Sequence, residues 1–133
     1  MPTVLGVYIA APFQLRNLGL LARSGILSIG LYSTAHWLDL SADDWNDAAA
    51  RQDLNDVDRA TVVLLINPQN WATRGTGGRH FELGYAYARH KDIVIWGERT
   101  NVFHSLDGIH VAPDLTTAIT MANDLARGLS IAL

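Results

Sequence analysis

The chain has no cysteine, which excludes disulfides, a thiol nucleophile and any metal centre built on thiolates. It has no excess of basic residues. Ten Lys and Arg stand against 13 Asp and Glu, a formal net charge of -3, whereas broad, sequence-independent binding to nucleic acid needs the opposite sign. The apolar run at 4–12 is far shorter than the roughly 20 residues of a membrane-spanning helix, and no positively charged segment precedes it. The five histidines, His36, His80, His90, His104 and His110, show no His-x-x-x-His spacing and no Glu-linked pair, so no metal site is expected. Also missing are a Gly-x-Ser-x-Gly elbow and a phosphate loop ending in Gly-Lys-Ser or Gly-Lys-Thr. There is no internal repeat, linker or charge block. The expectation is one domain over 1–133, cytoplasmic, with no membrane or nucleic-acid partner and no cofactor.

What is present is a compact globular composition, 49% hydrophobic and 17% charged over 133 residues, enough for one sizeable core. Short apolar runs alternate with longer amphipathic stretches. The pattern predicts strands at 4–10, 26–33, 61–66, 93–96 and 109–111. It predicts helices at 15–24, ended by Gly25, then at 42–60, 78–90 and 113–127. For the helix at 42–60, Ser41 is the expected N-cap, with Asp43 and Asp44 in the first turn. Fully apolar strands separated by helices imply an α/β protein with a mostly parallel sheet covered on both faces. Ligands of such sheets bind outside the carboxyl ends of the strands, so the segments 11–16, 67–78 and 97–107 are expected around one crevice.

One segment stands out chemically. Gly77-Gly78-Arg79-His80-Phe81-Glu82 places a carboxylate in the expected first turn of a glycine-opened helix, where free N-H groups and the helix dipole favour an anion. An ionised Glu is the form that attacks carbon or removes a proton. The alternative is a Glu that merely complements the helix start. Gly75-Thr76-Gly77-Gly78 is a poor dinucleotide signal, since it follows the third strand and not the first.

Three motifs in order, Val7-Tyr8-Ile9-Ala10-Ala11-Pro12-Phe13, Asp53-Leu54 before Thr61-Val62-Val63-Leu64, and Gly75-Thr76 running into Phe81-Glu82-Leu83-Gly84-Tyr85-Ala86, resemble the nucleoside 2-deoxyribosyltransferase family. That family includes the deoxynucleoside 5'-monophosphate N-glycosidases. The resemblance spans 4–111. It implies a flavodoxin-like, Rossmann-like three-layer sandwich with about five strands, acting as a homodimer or larger assembly with shared sites. It also implies that Glu82 is the nucleophile on the anomeric carbon, that Asp53 contacts the sugar or protonates the departing base, and that the Tyr8 hydroxyl positions the nucleophile. Breaking an N-glycosidic bond puts positive charge on the sugar and negative charge on the base, and a carboxylate and a proton donor answer those two needs.

Other residues expected at the substrate are Ala11, Pro12, Phe13 and Arg16 after the first strand, and Trp71, Gly77, Gly78 and Arg79 after the third. Arginine suits phosphate because its planar fork donates two hydrogen bonds, and Arg74 lies on the same loop. Trp71 is able to stack on a base or to plug the loop onto the domain. In the resembled family the segment after the fourth strand meets the neighbouring subunit's sugar, which makes Asn101 and Ser105 candidates. Two departures bear on substrate. Thr61 stands where the family carries an Asp, and Pro12-Phe13-Gln14 replaces the Ser-x-Arg-Gly segment with which the monophosphate hydrolases hold phosphate. The expected partners are a nucleoside or nucleotide and a free nucleobase. The expected activity is deoxyribosyl transfer between bases; the alternatives are hydrolysis of nucleoside 5'-monophosphates and a non-catalytic nucleotide-binding module.

Overall fold

A computed structural model describes residues 5–41, 45–68 and 77–129. The expectations for Asp43, Asp44, Trp71, Arg74, Gly75 and Thr76 lie outside the described residues. Five strands, β1 (Gly6–Ala10), β2 (Tyr32–Ser33), β3 (Val62–Asn67), β4 (Asp92–Gly97) and β5 (Ile109–Ala112), form one sheet in the order β2-β1-β3-β4-β5. Every pairing is parallel, with Val7 opposite Val62, Val62 opposite Asp92 and Ile93 opposite Ile109. Helices α1 (Arg16–Ser28) and α4 (Leu115–Ala126) contact each other and cover one face, while α2 (Asp47–Arg59) and α3 (Gly78–Ala88) contact each other and cover the opposite face. Helices on both faces are why β1 and β3 are buried at every position. Among the described residues no helix is long and apolar enough to cross a membrane.

Two element boundaries differ from the sequence expectation for physical reasons. Helix α1 does not stop at Gly25 but continues to Ser28, because Gly19, Ala22 and Ile26 repeat with helical spacing and are all buried. Strand β2 shrinks accordingly to two residues. Gly25 serves the packing of α1 on α4, since a Cβ there would lie 2.2 Å from Cδ1 of Ile119. Helix α2 begins at Asp47 and is capped by Asn46, whose Oδ1 accepts from the Ala49 amide at 2.8 Å, and not by Ser41.

The parallel order reverses direction between β1 and β3: the chain steps from β1 outward to β2, then returns to the other side of β1. Such a switch point opens a crevice at the carboxyl ends of the two strands. At the carboxyl ends of the neighbouring strands β3 and β4, Asn67 and Gly97 are paired. Gly97 has φ 132°, and a Cβ there would lie 2.1 Å from the Asn67 carbonyl oxygen. Gly97→Ala is therefore expected to cost about 2–4 kcal/mol of unfolding free energy, read from denaturant melts, through combined strain and backbone clash.

Candidate active site

Helix α3 opens at Gly77, which takes the left-handed conformation at φ 87° and so turns the chain into the helix without a Cβ penalty. Counting from Gly78, Glu82 is the fifth residue, and no acidic residue occupies the first turn. The sequence expectation of a carboxylate held ionised by the first turn is thereby corrected. What governs Glu82 is burial, which raises its carboxyl to about 8 against a hydrogen bond from Tyr8 that lowers it. That bond is donated by the Tyr8 hydroxyl to one carboxylate oxygen of Glu82. Tyr8 lies on β1 with no solvent exposure, and burial, followed by the charges of Glu82 and Asp53, keeps its hydroxyl well above the usual phenol value. It is a fixed donor.

Asp53 projects from α2 into the same cleft as Glu82, a cavity of about 380 Å³. Burial, then the charge of Asp56, raises its carboxyl to about 6, with His36 pulling the other way. The two facing helices contribute by the same arithmetic. Ala50, Asp53 and Leu54 from α2, and Gly78, Phe81 and Glu82 from α3, are spaced i, i+3, i+4 and so share one face of each helix.

Of the residues expected at the substrate, Ala11, Pro12, Phe13, Gly77, Gly78 and Arg79 line the cleft. Arg79 is only 4% exposed, and its guanidinium donates to Oδ1 of Asn67 from both Nε and Nη2 at 3.3 Å. Arg16 is placed otherwise, and Asn101 and Ser105, expected at a neighbouring subunit's site, lie outside this one. Arg16 is not a lining residue; its Nε donates to the Leu38 carbonyl at 2.6 Å and pins the turn His36–Asp39. Asn101 and Ser105 flank an exposed turn away from this cleft, where Asn101 Oδ1 accepts from the Phe103 amide at 2.9 Å. Ordinary capping chemistry accounts for Asn101 within this chain.

The cleft also holds aromatic residues that the sequence does not single out. Trp37 is nearly buried and anchored by an Nε1 hydrogen bond to the Ile9 carbonyl at 2.7 Å. Trp45 and Phe81 line the mouth and are 63% and 68% exposed. Phe13 lies between the tryptophans, its ring centroid 6.3 Å from each. The position of Phe81 beside Glu82 is a usable signal in the sequence; that of Trp45 is hidden when the helix is started at residue 42. Trp45→Ala is expected to raise KM for an aromatic ligand about tenfold with little change in kcat, a split that steady-state kinetics resolves.

Behind the cleft, His104 is fully buried and its Nδ1 accepts from the Thr100 amide at 3.0 Å. The rings of His80 and His104 lie 5.4 Å apart, and burial pushes His80 down to about 4 and His104 below its ordinary value. Both are neutral near pH 7. Among the described residues no group of three or more His, Cys, Asp or Glu is placed to hold a metal ion.

No protein-family model and no curated protein matches the chain. Among solved structures, the chain is similar to the CMP N-glycosidase BcmB of Clostridium botulinum, with 14% identity, 89% of this chain and 98% of that chain covered and a TM-score of 0.59. It is similar also to the apo form of an NADH:FMN oxidoreductase, EMOB, with 16% identity, coverage of 98% and 92% and a TM-score of 0.51. At these identities the likeness is one of fold, and the chain shares with both the flavodoxin-like arrangement of a parallel sheet between two helical layers.

Proposed function

We propose that the protein cleaves the N-glycosidic bond of a 2'-deoxynucleoside or its 5'-monophosphate and passes the deoxyribosyl group to a second base. The observation that carries this reading is the meeting of two carboxyl groups in one aromatic-walled cleft, one of them hydrogen-bonded by a buried tyrosine. In the first step a Glu82 carboxylate oxygen bonds to the anomeric carbon as the C–N bond breaks, and Asp53 delivers a proton to the departing base. In the second step an incoming base attacks the glycosyl ester, Asp53 takes up its proton, and Glu82 is released. Tyr8 holds the attacking oxygen without competing for the proton, because its hydroxyl stays protonated.

Hydrolysis is the second reading, in which water replaces the incoming base. It is favoured by the fold likeness to a CMP N-glycosidase. Transfer is favoured by the number of aromatic faces, which offer apolar surface to a base and little that orders water.

Chromatography of free base and new nucleoside from a panel of deoxynucleosides and monophosphates, with and without an acceptor base, tests both. New nucleoside formed only with acceptor is the expected result. Base released from monophosphates without acceptor selects hydrolysis. Saturable ligand binding with no product in any reaction overturns both and leaves a binding module.

A further inference from the structure

Asp56 is the most heavily bonded carboxylate among the described residues, yet it lies outside the cleft. It is completely buried. Its oxygens accept from the His36 amide at 3.0 Å, from His36 Nδ1 at 2.9 Å, from Gln52 Nε2 at 2.8 Å and from Arg59 Nη2 at 2.6 Å. Its carbonyl accepts from the buried Thr34 hydroxyl at 2.8 Å. The partners come from two places: helix α2, which carries Asp53, and the segment 34–36, which leads directly into Trp37. A buried carboxylate is costly unless every lone pair is met, and three residues here are arranged to meet it.

We propose that Asp56 is a positioning residue for the reaction: lying one turn beyond Asp53 on α2, its buried carboxylate clamps that helix to the segment bearing Trp37 and sets a negative charge one turn from Asp53. The proposal rests on the glycosidic reading above. The groups that act on Asp53 or share its cleft are Tyr8 from β1, His36 after β2, Asp56 on its own helix, and Arg79 and Glu82 from α3, with Arg59 paired to Asp56. Asp56 is the charge that raises Asp53, and it acts in the same sense on Glu82. With Glu82 the higher of the two, the arrangement with the proton on Asp53 and Glu82 ionised is the minor one, and it is the one the chemistry requires. A negative charge one turn away serves that requirement without touching substrate.

The test is the titration of the Asp53 carboxyl, followed by carbon NMR of the labelled side chain, in wild type, Asp56→Asn and Arg59→Met. Asp56→Asn is expected to lower the Asp53 midpoint from about 6 and to move the acid limb of kcat/KM down with it, with about a tenfold loss near pH 7. Arg59→Met removes the cation that offsets Asp56, whose carboxylate keeps its bonds from His36 and Gln52, and gives a second variant to read where Asp56→Asn does not fold. It is expected to raise the Asp53 midpoint. An unmoved midpoint in Arg59→Met, or in a folded Asp56→Asn protein, overturns the proposal, because Asp56 then has no action on Asp53. The base-release panel judges the reaction separately, because the midpoint is read in the resting protein whether or not it turns over.

Discussion

Glu82→Gln is expected to abolish turnover, by about four orders of magnitude or more, while raising the melting temperature at pH 8. The first half follows from the nucleophilic role proposed for Glu82: an amide of the same shape has no nucleophilic oxygen, and ligand binding is retained. The second half follows from linkage. The Glu82 carboxyl goes from 4.5 in the unfolded reference to about 8 in the folded protein. Its neutral form is the one the fold favours, so the associated stability is full below pH 4.5 and is lost as pH rises through about 8. The glutamine never ionises and escapes that loss. After solvent screening at a partly accessible cleft the gain is about 2–3 kcal/mol, or roughly 5–10 °C in a chain of this size. Melting curves at pH 5 and pH 8 check it: the two proteins should nearly coincide at the lower pH and separate at the higher. A glutamine protein no more stable at pH 8 would mean that Glu82 is not desolvated.

Asp53→Asn is expected to lower kcat/KM by about 10²–10⁴ on ordinary deoxynucleosides, and to leave most activity on an N7-methylated purine nucleoside. The base of that substrate already carries a positive charge and departs neutral, so it needs no proton from the enzyme. The pH dependence carries the same logic. Asp53 and Glu82 lie at about 6 and about 8 and repel each other when both are charged, so the pair titrates as a unit holding one proton between those values. Wild-type kcat/KM is expected to be bell-shaped with limbs near these two values. In the proposed mechanism the reactive fraction is the arrangement with the proton on Asp53. In the Asp53→Asn protein acting on the methylated substrate, a single ionisation remains, and the rate should climb with pH to a plateau. A surviving alkaline limb in that variant would remove Asp53 from the role of proton donor.

Both predictions start from residues visible in the sequence, but the physical reason attached to one of them differs in the fold. Glu82 stands out because glycines open its helix, and the same glycines suggest a first-turn placement that the helix start at Gly78 contradicts. The carboxyl lies one turn deeper, where desolvation and not the helix dipole governs it. Tyr8 and Asp53 are legible through the resemblance and through nothing local: a strand tyrosine and a helix aspartate have no periodicity that marks them. Trp45 escapes a sequence reading that places it inside α2 and not ahead of it, and Trp37 escapes because nothing local marks the short turn that carries it. Asp56 escapes because a carboxylate on a charged helix looks solvated until its burial is known.

The sequence by itself determined the alternation of apolar strands with amphipathic helices, and with it a parallel sheet covered on both faces. Side-chain periodicity is a local property, and the handedness of crossover connections leaves few ways to assemble it. Only the tertiary structure decided the order of the strands. Placing β1 beside β3 sets Tyr8 against Glu82, and packing α2 against α3 brings Asp53 to the same cleft. Only the tertiary structure decided the protonation of these groups as well, because desolvation depends on what surrounds a side chain in space and not on its neighbours along the chain.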